Sequence, residues 1–420
     1  MHTRRAALLA GALALAGCAS VTSDPALWVN ELDCRDPAHL LAAGHTLSLT
    51  ELQGRLLVST DRGASWRDAD LLPPAGDTSL RVLRLPDANG APALYASGFR
   101  QGATLAAQIA GSGVRTVGPW WHSADGGQRW AQAEPRVPLG PARGFGPQWP
   151  QVALADAGRT WVVVSTGPDG VAVLRSTDGG RQWQRQALPG LEHAGPLSSN
   201  GQGALAWVGR TPVGFVKPTA FELHASDDAG ASWRIGPAPV GNAQLFRPLP
   251  GVLLAHNGDE LVPGRTLVFR SLDNGLTWAR VLDREASGRI ASLGADADGR
   301  VVAITEFGHV LTSGDAGATW AHRGQPVRDA ARLHLARPVL FGLDGAVLAL
   351  VGAGTPIRST DHGATWRVAD NGLPPKAGLA QWCLVGKGRV VALGGRFAVW
   401  SADRGATWVI SPHRLSPLSP

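Results

Sequence analysis

Eight aspartates in this 420-residue chain share one setting. Each lies in Ser-x-Asp-x-Gly-x-x-Trp, first as Ser59-Thr60-Asp61-Arg62-Gly63-Ala64-Ser65-Trp66, then around Asp125, Asp178, Asp228, Asp273, Asp315, Asp361 and Asp403. A carboxylate can bind a cation, move a proton, or accept hydrogen bonds from backbone N–H groups of its own turn. Acid–base chemistry needs a pair of such groups across one cleft. Here the motif serines follow one another at 64, 53, 50, 45, 42, 46 and 42 residues, an even series along the chain. Eight evenly spread acids suit eight corners, so these aspartates read as turn braces. The glycine supplies a backbone angle or clearance that other residues resist. The tryptophan folds back as an apolar lid whose indole N–H can meet a polar partner.

Other chemistry finds little footing. The 12 histidines are scattered, and no cysteine cluster exists, so no metal site is expected. No glycine-rich loop leads from a strand into a helix to cradle a phosphate, and no cofactor is expected. Glu222, Glu260 and Glu306 are carboxylates outside the motif that the sequence does not pair. The net charge is +6, yet lysine occurs only at Lys217, Lys376 and Lys387 and no basic run forms. A nucleic-acid partner is not expected, because a basic footprint clusters.

The elements that carry the corners are short strands. Gly (54) and Pro (30) make up a fifth of the chain, natural for tight turns between many strands. The sixth repeat reads as strand Arg289–Leu293, a turn through Asp296–Gly299, strand Arg300–Ile304, strand Gly308–Thr312, the motif turn, and a closing strand. The eighth repeats it with Leu379–Val385, Arg389–Leu393 and Phe397–Trp400. Ahead of the first motif there is chain for three strands, about Ala38–Ala42, Thr46–Glu51 and Arg55–Val58. Four-stranded sheets repeated about an axis are the blades of a β-propeller. The expected fold is therefore all-β, a single propeller over residues 26–412 with eight blades, or seven if the long first interval is irregular. A Pro-rich tail fills 413–420.

The motif resembles the Asp-box (BNR-repeat) propeller superfamily, which includes sialidases, other glycosidases, sortilin-type receptors and photosystem II assembly factors. The resemblance covers nearly the whole mature chain and implies architecture before activity. Sialidases use an arginine triad, a tyrosine nucleophile late in the propeller and an aspartate acid/base. The one tyrosine here is Tyr95, early in the second repeat, and Arg84-Leu85-Pro86 matches only three residues of the sialidase signature. Xyloglucan-cleaving relatives use two propellers in tandem, and this chain has room for one. The assembly factors, built from the same short repeats without catalytic groups, imply a non-catalytic scaffold. The alternative is a glycoside hydrolase.

The amino-terminal residues carry an address. Arg4 and Arg5 precede an apolar run, Ala6–Ala16, and Leu15-Ala16-Gly17-Cys18 resembles the lipobox of bacterial lipoproteins, whose cysteine is acylated before cleavage. Residues 1–17 are thus expected to be a signal peptide, Cys18 the lipidated residue, and 18–25 a short tether. An ordinary signal peptide with a chance cysteine is the competing reading. Ala19 rather than Asp favours the outer over the inner membrane, by resemblance to sorted lipoproteins. The expected location is the envelope, membrane-anchored and facing the periplasm.

With Cys18 acylated, Cys34 and Cys383 remain in a compartment where disulfides persist. Cys34 lies just before the expected first strand of blade one, and Cys383 lies in the first strand of the last blade. A closed ring makes those blades neighbours, so a Cys34–Cys383 disulfide is expected, against two free buried thiols. The longer early repeats place extra chain at Gln101–Gly118, Pro135–Pro150, Glu192–Gly203 and Arg210–Pro218, and loops carry recognition. Near them, Trp120, Trp121, Trp149 and Arg143 form the candidate face for a protein partner or a glycan. Packing between blades is the alternative use of those tryptophans. The whole reads as a monomeric, lipid-anchored binding or assembly scaffold.

Overall fold

The computed structural model describes residues 27–415, apart from 48–51, 73–77, 87–91, 101–115, 134, 136, 139–149, 168–169, 212–219, 242, 257–263, 286, 328–338, 343–344, 353, 376 and 387. Eight separate sheets follow one another along the chain, each an antiparallel meander outward from its first strand, with one parallel strand added in blade two. Blade one begins at Leu27–Asp33, blade two at Thr78–Pro86, blade three at Gln151–Ala155 and blade four at His193–Ala194 with Ser198–Ser199. Blades five to eight begin at Gln244–Leu249, Ile290–Ala295, Leu340–Phe341 and Gln381–Val385. First strands of neighbouring blades approach one another, as Leu27–Asp33 does with both Gln381–Val385 and Thr78–Pro86. They therefore line the axis of an eight-bladed β-propeller, and the alternative of seven is set aside. Among the described residues helix is limited to one 3-10 turn, Asp156–Gly158.

Two blades depart from four plain strands. Blade two gains a fifth, Asp70–Leu72, laid parallel against the outer strand Arg129–Gln132. In blade four the first strand is broken into two short pieces that pair with the same neighbour, Leu205–Arg210.

The strands of blade one differ from the sequence expectation. Its innermost strand is Leu27–Asp33, and the chain from Leu40 to Leu47 is one strand rather than parts of two. Cys34 therefore follows the first strand instead of preceding it. The signal in Leu27–Asp33 is faint because the strand packs at a ring seam, where Asn30, Glu31 and Asp33 reach into blade two. At the other end, the last strand runs to Arg414, and Leu415 is fully buried. The chain beyond 412 thus begins as part of the ring and not as a tail.

The core is a series of interfaces between blades, because each sheet buries both faces against its neighbours. Second strands such as Val252–His256, Val301–Thr305 and Val347–Val351 are buried along their whole length. The seam between blades eight and one uses the same materials. Leu27, Leu40, Leu57 and Trp66 pack there with Val391, Leu393, Ala398 and Leu415. Leu27 donates its N–H to Gly395 O at 2.7 Å, and Arg55 donates to the Leu415 carbonyl. Cys34 and Cys383 form a disulfide across this seam, with Cα atoms 6.3 Å apart.

Candidate functional site

The eight motif turns show what their residues do. In blade seven Ser359 donates to Asp361 Oδ1 at 2.7 Å, and the same serine oxygen accepts the Gly363 N–H at 2.8 Å. Asp361 Oδ1 also accepts the Thr365 N–H at 2.8 Å, and Oδ2 the Thr365 hydroxyl at 2.6 Å. Asp61, Asp228, Asp273, Asp315 and Asp403 repeat this pattern with serine or threonine in the same place. Asp125 and Asp178 accept two backbone N–H groups each instead. Hydrogen bonds from Thr277 and Thr365 hold the carboxyls of Asp273 and Asp361 down to about 2. Such groups stay ionised and already occupied, so they neither shuttle protons nor await a ligand.

The motif glycine has a second task. A methyl group on Gly127 would lie 2.4 Å from a Leu41 methyl of blade one, and one on Gly405 would lie 2.3 Å from Leu348 of blade seven. Both also need positive φ, 91° and 75°. Each corner is therefore pressed against the preceding blade. Four motif tryptophans, Trp130, Trp183, Trp320 and Trp366, donate their indole N–H to the carbonyl of their own motif glycine. Trp408 reaches back to Ala369 O.

The expected recognition face needs correction. Trp120 and Trp121, on the strand Thr116–Ser123, are buried, at 4% and 0% exposure. Trp121 packs with Leu41, Leu56 and Trp130 between blades one and two, and Trp120 with Val163 and Leu174 of blade three. Alternation along a strand inside a ring of packed sheets sends both faces to apolar neighbours, so neither indole is open to a partner. Trp149 and Arg143 lie outside the described residues, as does Glu260. Tyr95 is also buried, against His122 and Trp120, and is no surface nucleophile. Glu306 is buried beside Arg289, whose Nε lies 3.3 Å from its carboxylate. Glu222 lies 3.5 Å from His224 on the second-last strand of blade four.

The charged cluster the structure assembles is a different one. A hollow of about 310 Å³ opens on the axial wall, lined by Glu31 and Arg35 of blade one, Arg81 and Arg84 of blade two, and Gln151 and Leu154 of blade three. Asp33 is bonded to two of its arginines. Arg35 grips Asp33 with Nε to Oδ1 at 2.9 Å and Nη2 to Oδ2 at 2.7 Å, and Arg84 adds Nε to Oδ2 at 3.2 Å. Burial works against the charge of Asp33, yet the bonds from Arg35 and the nearby Arg84 outweigh it and hold this carboxyl below the usual range. Glu31, two residues away, accepts the Val82 N–H at 3.2 Å. Burial pushes its carboxyl upward despite the Arg81 charge opposing. Two acids on one strand are thus driven in opposite directions, the arrangement by which a site separates a proton donor from a fixed anion. Sequence reading passed over this cluster. The available signal was the alternation Glu31-x-Asp33-x-Arg35 at an apolar seam, where charges on one strand face need partners.

No group of three or more metal-ligating side chains occurs among the described residues, nor a helix there long and apolar enough to cross a membrane.

No protein-family model matches the chain. A xyloglucanase of Paenibacillus sp. is 26% identical over 279 residues, which takes in 59% of this chain and 25% of that protein. The chain thus spans about a quarter of the length of the curated relative it matches. Among solved structures it is similar to a GH74 xyloglucanase from Xanthomonas campestris, at 18% identity and TM-score 0.39, covering 92% of this chain and 72% of the other. It is also similar to YCF48 from Cyanidioschyzon merolae, at 16% identity and TM-score 0.40, covering 90% and 95%. Likeness to solved structures at these TM-scores carries no inference about activity.

Proposed function

We propose that this chain is a lipid-anchored, non-catalytic propeller that binds a protein partner and serves as an assembly scaffold in the cell envelope. In this reading Cys18 carries the anchor, the ring faces the periplasm from the outer membrane, and the molecule acts as a monomer. The observation that carries it is the commitment of the acids. The motif aspartates brace their turns, and Asp33 is enclosed by Arg35 and Arg84, its side chain only 1% exposed. The arginines of the axial hollow, by contrast, keep open surface: 58% of the Arg35 side chain and 28% of Arg84. A cationic, largely preformed recess suits recognition of an acidic partner segment.

The test is capture from detergent-solubilised envelope by the full mature chain, beside Arg35→Glu and Arg81→Glu variants. A partner retained by the native chain and lost by both variants is the expected result. Equal recovery with all three would end the reading.

A glycoside hydrolase is the second reading, favoured by Glu31 as a raised acid beside ionised Asp33 and by the sequence similarity to a xyloglucanase. It predicts release of reducing ends from a glucan or envelope glycan, abolished in Glu31→Gln. The scaffold reading expects no such release from the native chain.

A further inference from the structure

A second hollow lies elsewhere and shares no residue with the arginine cluster. Its volume is about 520 Å³, within the range of roughly 300–1,000 Å³ usual for ligand sites. Three successive blades build it. Blade six supplies the turn bearing Asp296, Asp298 and Arg300, blade seven supplies Phe341 and His362, and blade eight supplies Leu384.

Each polar group in it is held in place. Asp296 accepts the N–H groups of Asp298 and Arg300 at 3.0 and 2.8 Å, fixing the turn. Arg300 Nη1 lies 3.1 Å from Asp296 and 3.0 Å from Asp298. His362 occupies the motif position before the glycine, at φ 56°, and its N–H donates to Gly345 O at 2.9 Å. Its ring lies over Gly345, where a methyl group would come within 2.6 Å of Nε2. Phe341 is seated in the same way. A methyl group on Gly294 would approach its ring to 3.1 Å. Two glycines from adjoining blades thus make room for the two rings of the hollow.

The charges select the ligand. Among the described lining residues two carboxylates face one guanidinium, so this lining leans negative and disfavours an anion. Arg300 already stands between the carboxylates where a cation would sit, and the described residues hold no metal-ligating group of three. What remains is a neutral molecule with donors and acceptors on one side and an apolar face on the other. The hollow meets both needs. The Asp298 side chain is 69% exposed and accepts, that of Arg300 is 40% exposed and donates, and Phe341, Leu340 and Leu384 offer apolar surface. A sugar ring presents this combination, with hydroxyls around its rim and C–H groups across its face.

We infer that the hollow shared by blades six to eight binds a neutral saccharide ring, seated on Phe341 with hydroxyls to Asp298 and Arg300. The site is independent of the arginine-lined recess, so the molecule would hold a glycan on one wall and a partner on the other.

Saturation-transfer NMR and titration calorimetry on the full mature chain test this with methyl β-glucopyranoside, methyl β-galactopyranoside and N-acetylglucosamine as probes, and glucuronate as the anionic control. The expected result is saturable binding of at least one neutral ring, weakened about tenfold by Asp298→Asn and by Phe341→Ala, roughly the loss of one good contact. Asp298 is exposed, so its variant reports on binding even if Phe341→Ala disturbs packing. Arg81→Glu should leave the sugar affinity unchanged, which separates this site from the partner recess. No binding of any neutral ring, tighter binding of glucuronate, or affinity untouched by Asp298→Asn would each overturn the inference.

Discussion

A single corner residue shows how local chemistry decides between catalysis and architecture. Asp361 is ionised because Thr365 and Ser359 hydrogen-bond its charged form, which places its carboxyl at about 2 against an unfolded value of 3.8. Its contribution is complete above about pH 4 and is lost as pH falls toward 2, since the unfolded chain then binds the proton first. Urea titrations between pH 2 and 5 should show a stability slope that Asp361→Asn reduces. At neutral pH that variant should lose about 1 kcal/mol, the worth of the bonds removed. His224 behaves differently. It stacks on Trp207 with ring centroids 4.1 Å apart, and burial lowers its pKa from 6.5 to about 4. The folded ring is neutral through this window, so stability should fall as pH drops from about 6.5 to 4. His224→Phe, which keeps the stack and cannot titrate, should flatten that limb in the same measurement.

At the scale of blades, the geometry of one corner is imposed by the blade before it. Gly405 combines φ of 75° with close approach to Leu348, so Gly405→Ala meets both backbone strain and overpacking. Each effect costs about 1–3 kcal/mol, and thermal melts should register the sum. Adding Leu348→Ala should return the packing part but not the backbone part, giving a double mutant less unstable than additivity requires. A second link joins blades three, five and seven each to the blade that follows it. Arg175, Arg270 and Arg358, each just before a motif serine, donate to Ala229 O, Ala316 O and Arg404 O of the next blade. The repeat of four strands and a corner was readable in blades six and eight from alternation and turn residues. Blade one was misread because its inner strand, with Asn30, Glu31 and Asp33 directed at blade two, does not carry the apolar pattern of a strand.

For the whole ring, closure is shared between covalent and non-covalent contacts. The disulfide joins residues 349 positions apart, for which loop entropy sets an upper bound of about 5 kcal/mol. Leu415, Arg55 and the Leu27–Gly395 bond hold the same seam without it. A Cys34→Ser/Cys383→Ser variant should therefore melt at lower temperature yet keep the strand content and hydrodynamic radius of the native ring. An expanded or aggregated variant would show the crosslink to be indispensable. Trp121→Ala should cost about 3–5 kcal/mol through the cavity it leaves between blades one and two, with no selective loss of partner capture.

The sequence by itself determined the placing of the corners, because a turn of eight residues is closed by its own hydrogen bonds and repeats wherever those residues repeat; that the ring has eight blades and not seven was decided by the structure. It also brought the two distant cysteines together once the blades were counted round a ring. Only the tertiary structure decided which tryptophans are buried and which charges meet. Trp120 and Trp121 vanish into seams whose partners lie in other blades. Glu31, Arg35, Arg81 and Arg84 line one recess only when blades one and two stand side by side. Asp298, Phe341 and Leu384 share a hollow only because three blades converge on the axis. Local order is encoded in consecutive residues, whereas a site drawn from several blades depends on distances that no stretch of sequence contains.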